Sequence, residues 1–317
     1  MRIKHFTDSD LDGISCGLLS SLVMEDCEVT TAGPNSIEDK LTRLLDQEAK
    51  GRKLFDKIII TDMSVGEALA ERIEKHEKYR VRLYDHHKSA EWLNKYEWAT
   101  VQVEDELGKA LSATEIYWRE SASKLAGKGA FGRSRNPHKL RVAEEYVAMV
   151  TSYDTWAWEA RGDMMPKYLN HLMGIYGAEL FQENLKKSIL EGDSVLTQSD
   201  LTMARAEEAR QNKYLRTKLE DVVEMEVLGH SFGVVFAEQY KSELGNRMCL
   251  EYDIDVAAII DMGGCSISYR TAKEDIDLSQ IAGTFGGGGH AKAAGSSFSE
   301  DLAFELMDKL FQKPAGP

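Results

Sequence analysis

RIKHFTDSDLDGISCGLLSSLVM, residues 2–24, sets the reading of the whole chain. Its first six residues, RIKHFT at 2–7, have strand composition, and ISCGLLSSLVM from Ile14 has the apolar spacing of a helix. Between them lies an acidic turn, Asp8-Ser9-Asp10-Leu11-Asp12-Gly13. The alternation continues outward. EVTT at 28–31 reads as a strand and 36–50 as a charged amphipathic helix. KIIITD at 57–62 is a continuous β-branched run, which suits a strand covered on both faces. A helix over about 66–77 and the strand YRVRLYD at 79–85 follow. Strands alternating with helices predict an α/β fold with a doubly wound parallel sheet.

From about 109 to 222 the sequence reads mostly as helix, with a Gly-rich, basic loop at 124–139 (KLAGKGAFGRSRNPHK). A long polar helix over about Ser194–Asp221 has the character of a connector. A second, smaller α/β unit then begins. Its strands are expected near 224–228, 231–237, 254–260 and 265–270, with a helix near 242–252. A Gly-rich loop at 286–289 and a terminal helix at 300–312 complete it. The expected domains are therefore 1–190, a helical linker 191–224, and 225–317.

Composition narrows the function. Of 317 residues, 43% are apolar, enough to build a packed core. No apolar run reaches the roughly 18 residues that a membrane span needs, and MRIKHFTDSD has no secretory apolar segment. The expectation is a cytoplasmic protein with no membrane partner. Cys16, Cys27, Cys249 and Cys265 have neither CxxC spacing nor a neighbouring histidine pattern, so they read as reduced thiols. A net charge of −14 argues against a protein that tracks long nucleic acid by neutralising phosphates. It is compatible with short anionic substrates held by bound metal and a few arginines.

The acids fall at strand ends, where open α/β sheets bind ligands. In order these ends carry Asp8, Asp10 and Asp12, then Asp62, then Asp85-His86-His87. Clustered carboxylates raise one another's pKa unless cations balance them. Carboxylate with imidazole and no thiolate suits Mn²⁺ or Mg²⁺ better than structural zinc. The D-x-D-x-D-G turn also opens an EF-hand, but Leu19 stands where that loop needs glutamate, and a strand precedes it. Asp62 alone reads equally well as a helix cap. The co-occurrence of all three clusters in one sheet favours a metal centre.

TDSDLDG, IIITD and YDHH resemble the first three motifs of the DHH phosphoesterases, which include RecJ nucleases, family II pyrophosphatases and nano-RNases. Asp154 in MVTSYDTWAW matches the fourth, and FGGGGHAKAAG at 285–295 is similar to the glycine-rich motif of the DHH-associated C-terminal domain. SELGN at 242–246 and SISYRT at 266–271 resemble the B-type nano-RNase branch. The resemblance implies a phosphodiesterase with two Mn²⁺ ions, Mg²⁺ being the alternative, about 3.5–4 Å apart. Asp12, Asp62, His86 and Asp154 would hold one ion; Asp10 and Asp62, with Asp8, would hold the other. His87 would meet the phosphate or leaving group, and Asp85 would orient a neighbour. The histidine that many members place four residues before the first paired aspartate is Phe6 here; Asp8 and, more remotely, His5 are the substitutes.

The substrate grip is expected from Gly286, Gly287, Gly288, Gly289, His290 and Arg270. Glycines let backbone N–H groups approach a phosphate, and a guanidinium can clamp one, although a flexible turn and a surface ion pair are the plain alternatives. Trp156 and Trp158 could stack bases, but core packing is the commoner fate of tryptophan. The expected substrate is a short oligonucleotide or small nucleotide, hydrolysed by metal-activated water. Competing expectations are a RecJ-like single-strand exonuclease, a cyclic-dinucleotide or 3′-phosphoadenosine phosphate phosphatase, and a non-catalytic nucleotide sensor. A homodimer is compatible with the sequence.

Overall fold

The computed structural model describes residues 1–33, 36–122 and 137–311, which divide into two units, Met1–Arg205 and Ala206–Pro317. In the first unit β1 (Ile3–Thr7), β2 (Cys27–Thr31), β3 (Lys57–Thr61), β4 (Val81–Asp85) and β5 (Ala99–Val101) form one sheet, in the order β2-β1-β3-β4-β5. Every pairing in it is parallel. The expected doubly wound sheet is thus present, with a short fifth strand beyond the four expected. Successive isoleucines show why KIIIT needs cover on both sides: Ile59 enters one core, Ile58 and Ile60 the other. Helices α1 (Leu11–Val23), α4 (Ala113–Tyr117), α5 (Pro137–Asp154) and α7 (Met165–Glu191, broken at Gly177) contribute to the first core. Helices α2 (Ile37–Ala49) and α3 (Glu67–His76) contribute to the second. A short helix, α6 (Ala157–Arg161), lies between α5 and α7.

Register brings the strand ends level. Thr7 pairs with Thr61, and Thr61 with Tyr84, so Asp8, Asp62 and Asp85 are the next residues along three adjacent strands. Strand order changes direction between β1 and β3, the position where such sheets open a crevice. Helix α1 starts at Leu11, three residues before the expected Ile14, because Asp10 caps it by accepting from Gly13 N at 2.9 Å. Asp12 consequently lies inside the first turn.

Of the basic loop expected at 124–139, residues 124–136 lie outside the described residues, and Pro137 opens helix α5, where its missing N–H costs nothing. The two units divide within helix α8 (Gln198–Glu220). No helix among the described residues is long and apolar enough to cross a membrane.

The second unit has a six-stranded sheet of order β10-β11-β9-β8-β7-β6. Its strands are β6 (Val223–Val227), β7 (His230–Phe236), β8 (Val256–Asp261), β9 (Ser266–Arg270), β10 (Gly288–Gly289) and β11 (Ala293–Ser297). Only β7 and β8 run parallel. Helices α9 (Lys241–Glu251), α10 (Leu278–Thr284) and α11 (Glu300–Phe311) complete it. The glycine run is only partly loop, since Gly288 and Gly289 pair with Gly295 and Ala294.

Candidate metal centre and phosphate grip

Three carboxylates surround the His86 ring. Its Nε2 lies 3.4 Å from Asp62 Oδ1 and 3.9 Å from Asp12 Oδ2, and its Nδ1 lies 3.6 Å from Asp154 Oδ2. Asp12 and Asp62 side chains are almost wholly buried, at 1% and 3% exposure. Asp12, His86 and Asp154 form one group with converging ligand atoms; Asp62, Asp85, His86 and His87 form a second. The chain thus assembles acids and imidazoles from four segments that are remote in sequence.

Each ligand is aimed by local structure. Asp62 takes a left-handed backbone, φ 57°, just past β3, and its N–H still reaches Tyr84 O at 3.0 Å. This conformation is uncommon for a residue with a side chain, although aspartate and asparagine tolerate it better than most. Asp12 is fixed by a partner far along the chain: its two carboxylate oxygens accept from Ala113 N at 2.7 Å and Thr114 N at 2.9 Å. Those N–H groups open helix α4, whose cap Ser112 also bonds Thr151 on α5 at 2.9 Å. Asp154 is the last residue of α5. Asp85 Oδ1 accepts from His86 N at 2.8 Å and lies 2.6 Å from His87 Nδ1.

The electrostatics are those of crowded acids. Burial first, then the charges of Asp12 and Asp10, push the Asp62 carboxyl well above its ordinary range. Asp154 is raised well above for the same reasons. Asp10 is exposed as a residue, but protein atoms crowd its carboxyl; that desolvation and the Asp12 charge raise it, against the Gly13 N–H. Asp85 goes the other way: burial would raise it, but the His87 hydrogen bond and charge outweigh burial and hold it low. His87 is correspondingly raised, since Asp85 overcomes the burial that would lower it.

Asp62 Oδ2, Asp85 Oδ2 and Asp154 Oδ2 are buried and accept no hydrogen bond among the described residues. A buried carboxylate oxygen without a donor is costly, and a cation is the partner that relieves several at once. The donor set is oxygen and imidazole nitrogen, so the cluster can hold a divalent metal of the Mn²⁺ or Mg²⁺ type.

Of the other residues singled out in the sequence, Asp8 is in neither group; its Oδ1 accepts from Ser9 N at 2.5 Å. Asp10 serves as the α1 cap. His5 is wholly buried, with both ring nitrogens at 2.8 Å from hydroxyls, so it does not replace the missing ligand. Trp158 is buried, and Trp156 holds a left-handed backbone at φ 59°.

In the second unit Arg270 ends β9, half-buried, with Nη2 on Ser242 Oγ at 2.7 Å and Nη1 on Tyr269 O at 2.8 Å. It makes no ion pair among the described residues, and burial lowers its pKa despite Glu243. Gly245 on α9 leaves room for it, since a Cβ there would fall 2.6 Å from Arg270 Cγ. Arg270 pairs with Ala293 on β11, whose other neighbour is the glycine strand β10. Gly286 needs its left-handed φ of 72°, and a Cβ on Gly287 would strike Gly295 O at 2.1 Å. His290 N donates to Ala293 O at 2.7 Å. Gly288 and Gly289 on β10 are thus separated from Arg270 on β9 by β11 alone, with Gly286, Gly287 and His290 flanking β10 in sequence.

No protein-family model matches the chain. Oligoribonuclease NrnB of Bacillus subtilis (strain 168) is 34% identical over 307 residues, covering 95% of this chain and 74% of that protein. Among solved structures, the DHH domain of a member of the s1p family of ribosomal proteins superposes with TM-score 0.58 at 15% identity, over 99% of this chain and 87% of that one. Exonuclease RecJ bound to manganese superposes with TM-score 0.52 at 14% identity, over 98% and 89%. At those identities the two structures speak for the fold. Fold and carboxylate cluster define a phosphoester hydrolase, and the chain belongs to the DHH family of phosphoesterases, in the group that contains oligoribonuclease NrnB.

Proposed function

We propose that the chain is a manganese-dependent phosphodiesterase that hydrolyses short oligoribonucleotides. The observation that carries this reading is the convergence of Asp12, Asp62, His86 and Asp154, in which Asp62 Oδ2 and Asp154 Oδ2 are buried with no hydrogen-bond donor among the described residues. Its relative's name, oligoribonuclease, supports the substrate class, and manganese in the RecJ structure supports the ion. Asp12, Asp62, His86 and Asp154 would hold one cation, and Asp10 with Asp62, and Asp8 beside them, would hold a second. Bound divalent cations supply Lewis-acid activation of water and neutralise phosphate charge.

The remaining groups position and move protons. Asp85, held ionised by its histidine neighbours, fixes the His87 ring and keeps it protonated above the ordinary imidazole range. His87 Nε2 is then a proton source for the leaving oxygen or a donor to the phosphate. Arg270 and the Gly286–Gly289 run with His290 grip a terminal phosphate or base of the ligand, the arginine as a fork and the glycines through backbone N–H groups.

The test is turnover with Mn²⁺ of di- to pentaribonucleotides, long RNA, long single-stranded DNA, a cyclic dinucleotide and 3′-phosphoadenosine phosphate, side by side. The reading expects the short ribonucleotides to dominate kcat/KM. Preference for long single-stranded DNA would make the chain RecJ-like, and preference for either small nucleotide would replace the substrate class.

A further inference from the structure

His5 lies on β1 behind the carboxylate cluster, and a chain of hydroxyls runs through it. Nε2 faces Thr61 Oγ1 and Nδ1 faces Ser20 Oγ, each at 2.8 Å. Donor directions follow by elimination from the fixed end. Gly13 O can only accept, so Thr7 Oγ1 donates to it, at 2.7 Å. A hydroxyl has one proton, so Thr61 must donate to Thr7, at 2.8 Å. Thr61 then accepts from His5, which places the hydrogen on Nε2. A neutral imidazole carries only one N–H, so Nδ1 accepts from Ser20, and Ser20 accepts from Tyr117 OH at 2.7 Å. All the hydrogens point one way, from Tyr117 to Gly13. No carboxylate among the described residues pairs with the ring, and burial lowers its pKa to about 3, which keeps it neutral.

The residues at the far end of this chain flank the acids of the site. Thr7 precedes Asp8, Thr61 precedes Asp62, and Gly13 follows Asp12. The turn they hold is tight, since a Cβ on Gly13 would fall 2.4 Å from Asp8 O. We propose that His5, as the neutral Nε2–H tautomer, is a positioning residue that locks the Asp8–Gly13 turn to the end of β3, so that Asp12 and Asp62 converge on metal. This rests on the metal reading above. The opposite tautomer would claim the Thr61 proton for Nε2, and Thr7, whose own proton goes to Gly13 O, could not replace it, so the Thr61–Thr7 bond would be lost. Partners that orient ligands behind a metal centre commonly matter about 10–100-fold in affinity.

The experiment has two arms on the full chain. Long-range ¹H–¹⁵N correlation of the metal-free protein at pH 7 reads the His5 tautomer directly; Nε2–H is expected, and Nδ1–H or imidazolium overturns the proposal. Calorimetric Mn²⁺ titration then compares wild type with His5→Phe, which keeps the ring volume but neither nitrogen, and His5→Asn, whose amide can both donate and accept. Phe should raise the Mn²⁺ Kd about 10–100-fold, while Asn should recover most of that loss and KM at saturating Mn²⁺ should stay put. Thr61→Val, which removes both the acceptor for His5 and the donor to Thr7, should raise Kd in the same direction and serves where His5→Phe does not fold. Wild-type affinity in a folded His5→Phe or Thr61→Val refutes the positioning role while leaving the metal reading intact. Wild-type protein that binds no Mn²⁺ refutes the metal reading and removes the role proposed for His5 with it.

Discussion

Acidification should destabilise the first unit through His5 before most carboxylates are protonated. The folded protein keeps this imidazole neutral down to a pKa of about 3, whereas the unfolded chain protonates it near 6.5. A lowered folded pKa means that the unfolded state binds the extra proton. Stability is therefore complete above pH 6.5 and falls as pH drops, by about 1.4 kcal/mol per unit, until the folded ring titrates near 3. From pH 6.5 to 5 the loss is about 2 kcal/mol. All five tryptophans lie in Met1–Arg205, the unit that contains His5, so their fluorescence follows its unfolding. The assay is urea unfolding of wild type and His5→Asn at pH 7 and pH 5 with chelator present. Other titrating groups act on both proteins, so the difference isolates His5. Wild type should lose about 2 kcal/mol more than the variant. Equal losses would show that the ring is protonated in the folded protein, and the buried neutral histidine would be wrong.

Asp62→Asn should raise the melting temperature of the metal-free protein, because it removes a buried charge repelled by Asp12 and Asp10 and asparagine accepts the left-handed backbone; the same variant should lose the Mn²⁺-induced rise seen in wild type by scanning calorimetry. Arg80→Met should cost about 3 kcal/mol in urea unfolding, because Arg80 Nη2 lies 2.5 Å from Glu48 and Nε 2.5 Å from Glu77, and its removal leaves the buried Glu48 without a cation, held only by the Leu54 and Phe55 N–H groups. Gly245→Ala should raise KM with little change in kcat in steady-state assays, since its methyl group displaces Arg270.

Much of the metal centre is readable in one dimension because its ligands sit at strand ends, and strands announce themselves by composition. KIIIT followed by aspartate, and VRLYD followed by two histidines, need only the parallel register to become neighbours. What fixes Asp12 is not readable that way. Its partners Ala113 and Thr114 lie a hundred residues away, and backbone N–H groups leave no mark on residue identity. A signal for that helix start did exist: Ser112 with Glu115 three residues on is a capping pattern, and Ser112 Oγ accepts from Glu115 N. Strand β5 escapes because Ala99–Val101 is only three residues long, too short for periodicity. The glycine run shows the converse limit. Its composition marks a place where side chains are avoided, but the partner that excludes them at Gly287 and Gly289, the strand β11, comes from tertiary pairing.

The hydroxyl chain through His5 is likewise invisible in sequence. Thr7, Ser20, Thr61 and Tyr117 are ordinary residues for strands and helices, and only their meeting inside the first core gives the histidine its direction.

Crystals grown with Mn²⁺ and measured at the manganese absorption edge put the central claim to its most direct trial. Anomalous peaks should appear against Asp62, one shared with Asp12, His86 and Asp154 and a second on the Asp10 side, and Asp62→Asn crystals should lose both. A map with no anomalous density beside Asp62, or with manganese bound only elsewhere, would contradict the account.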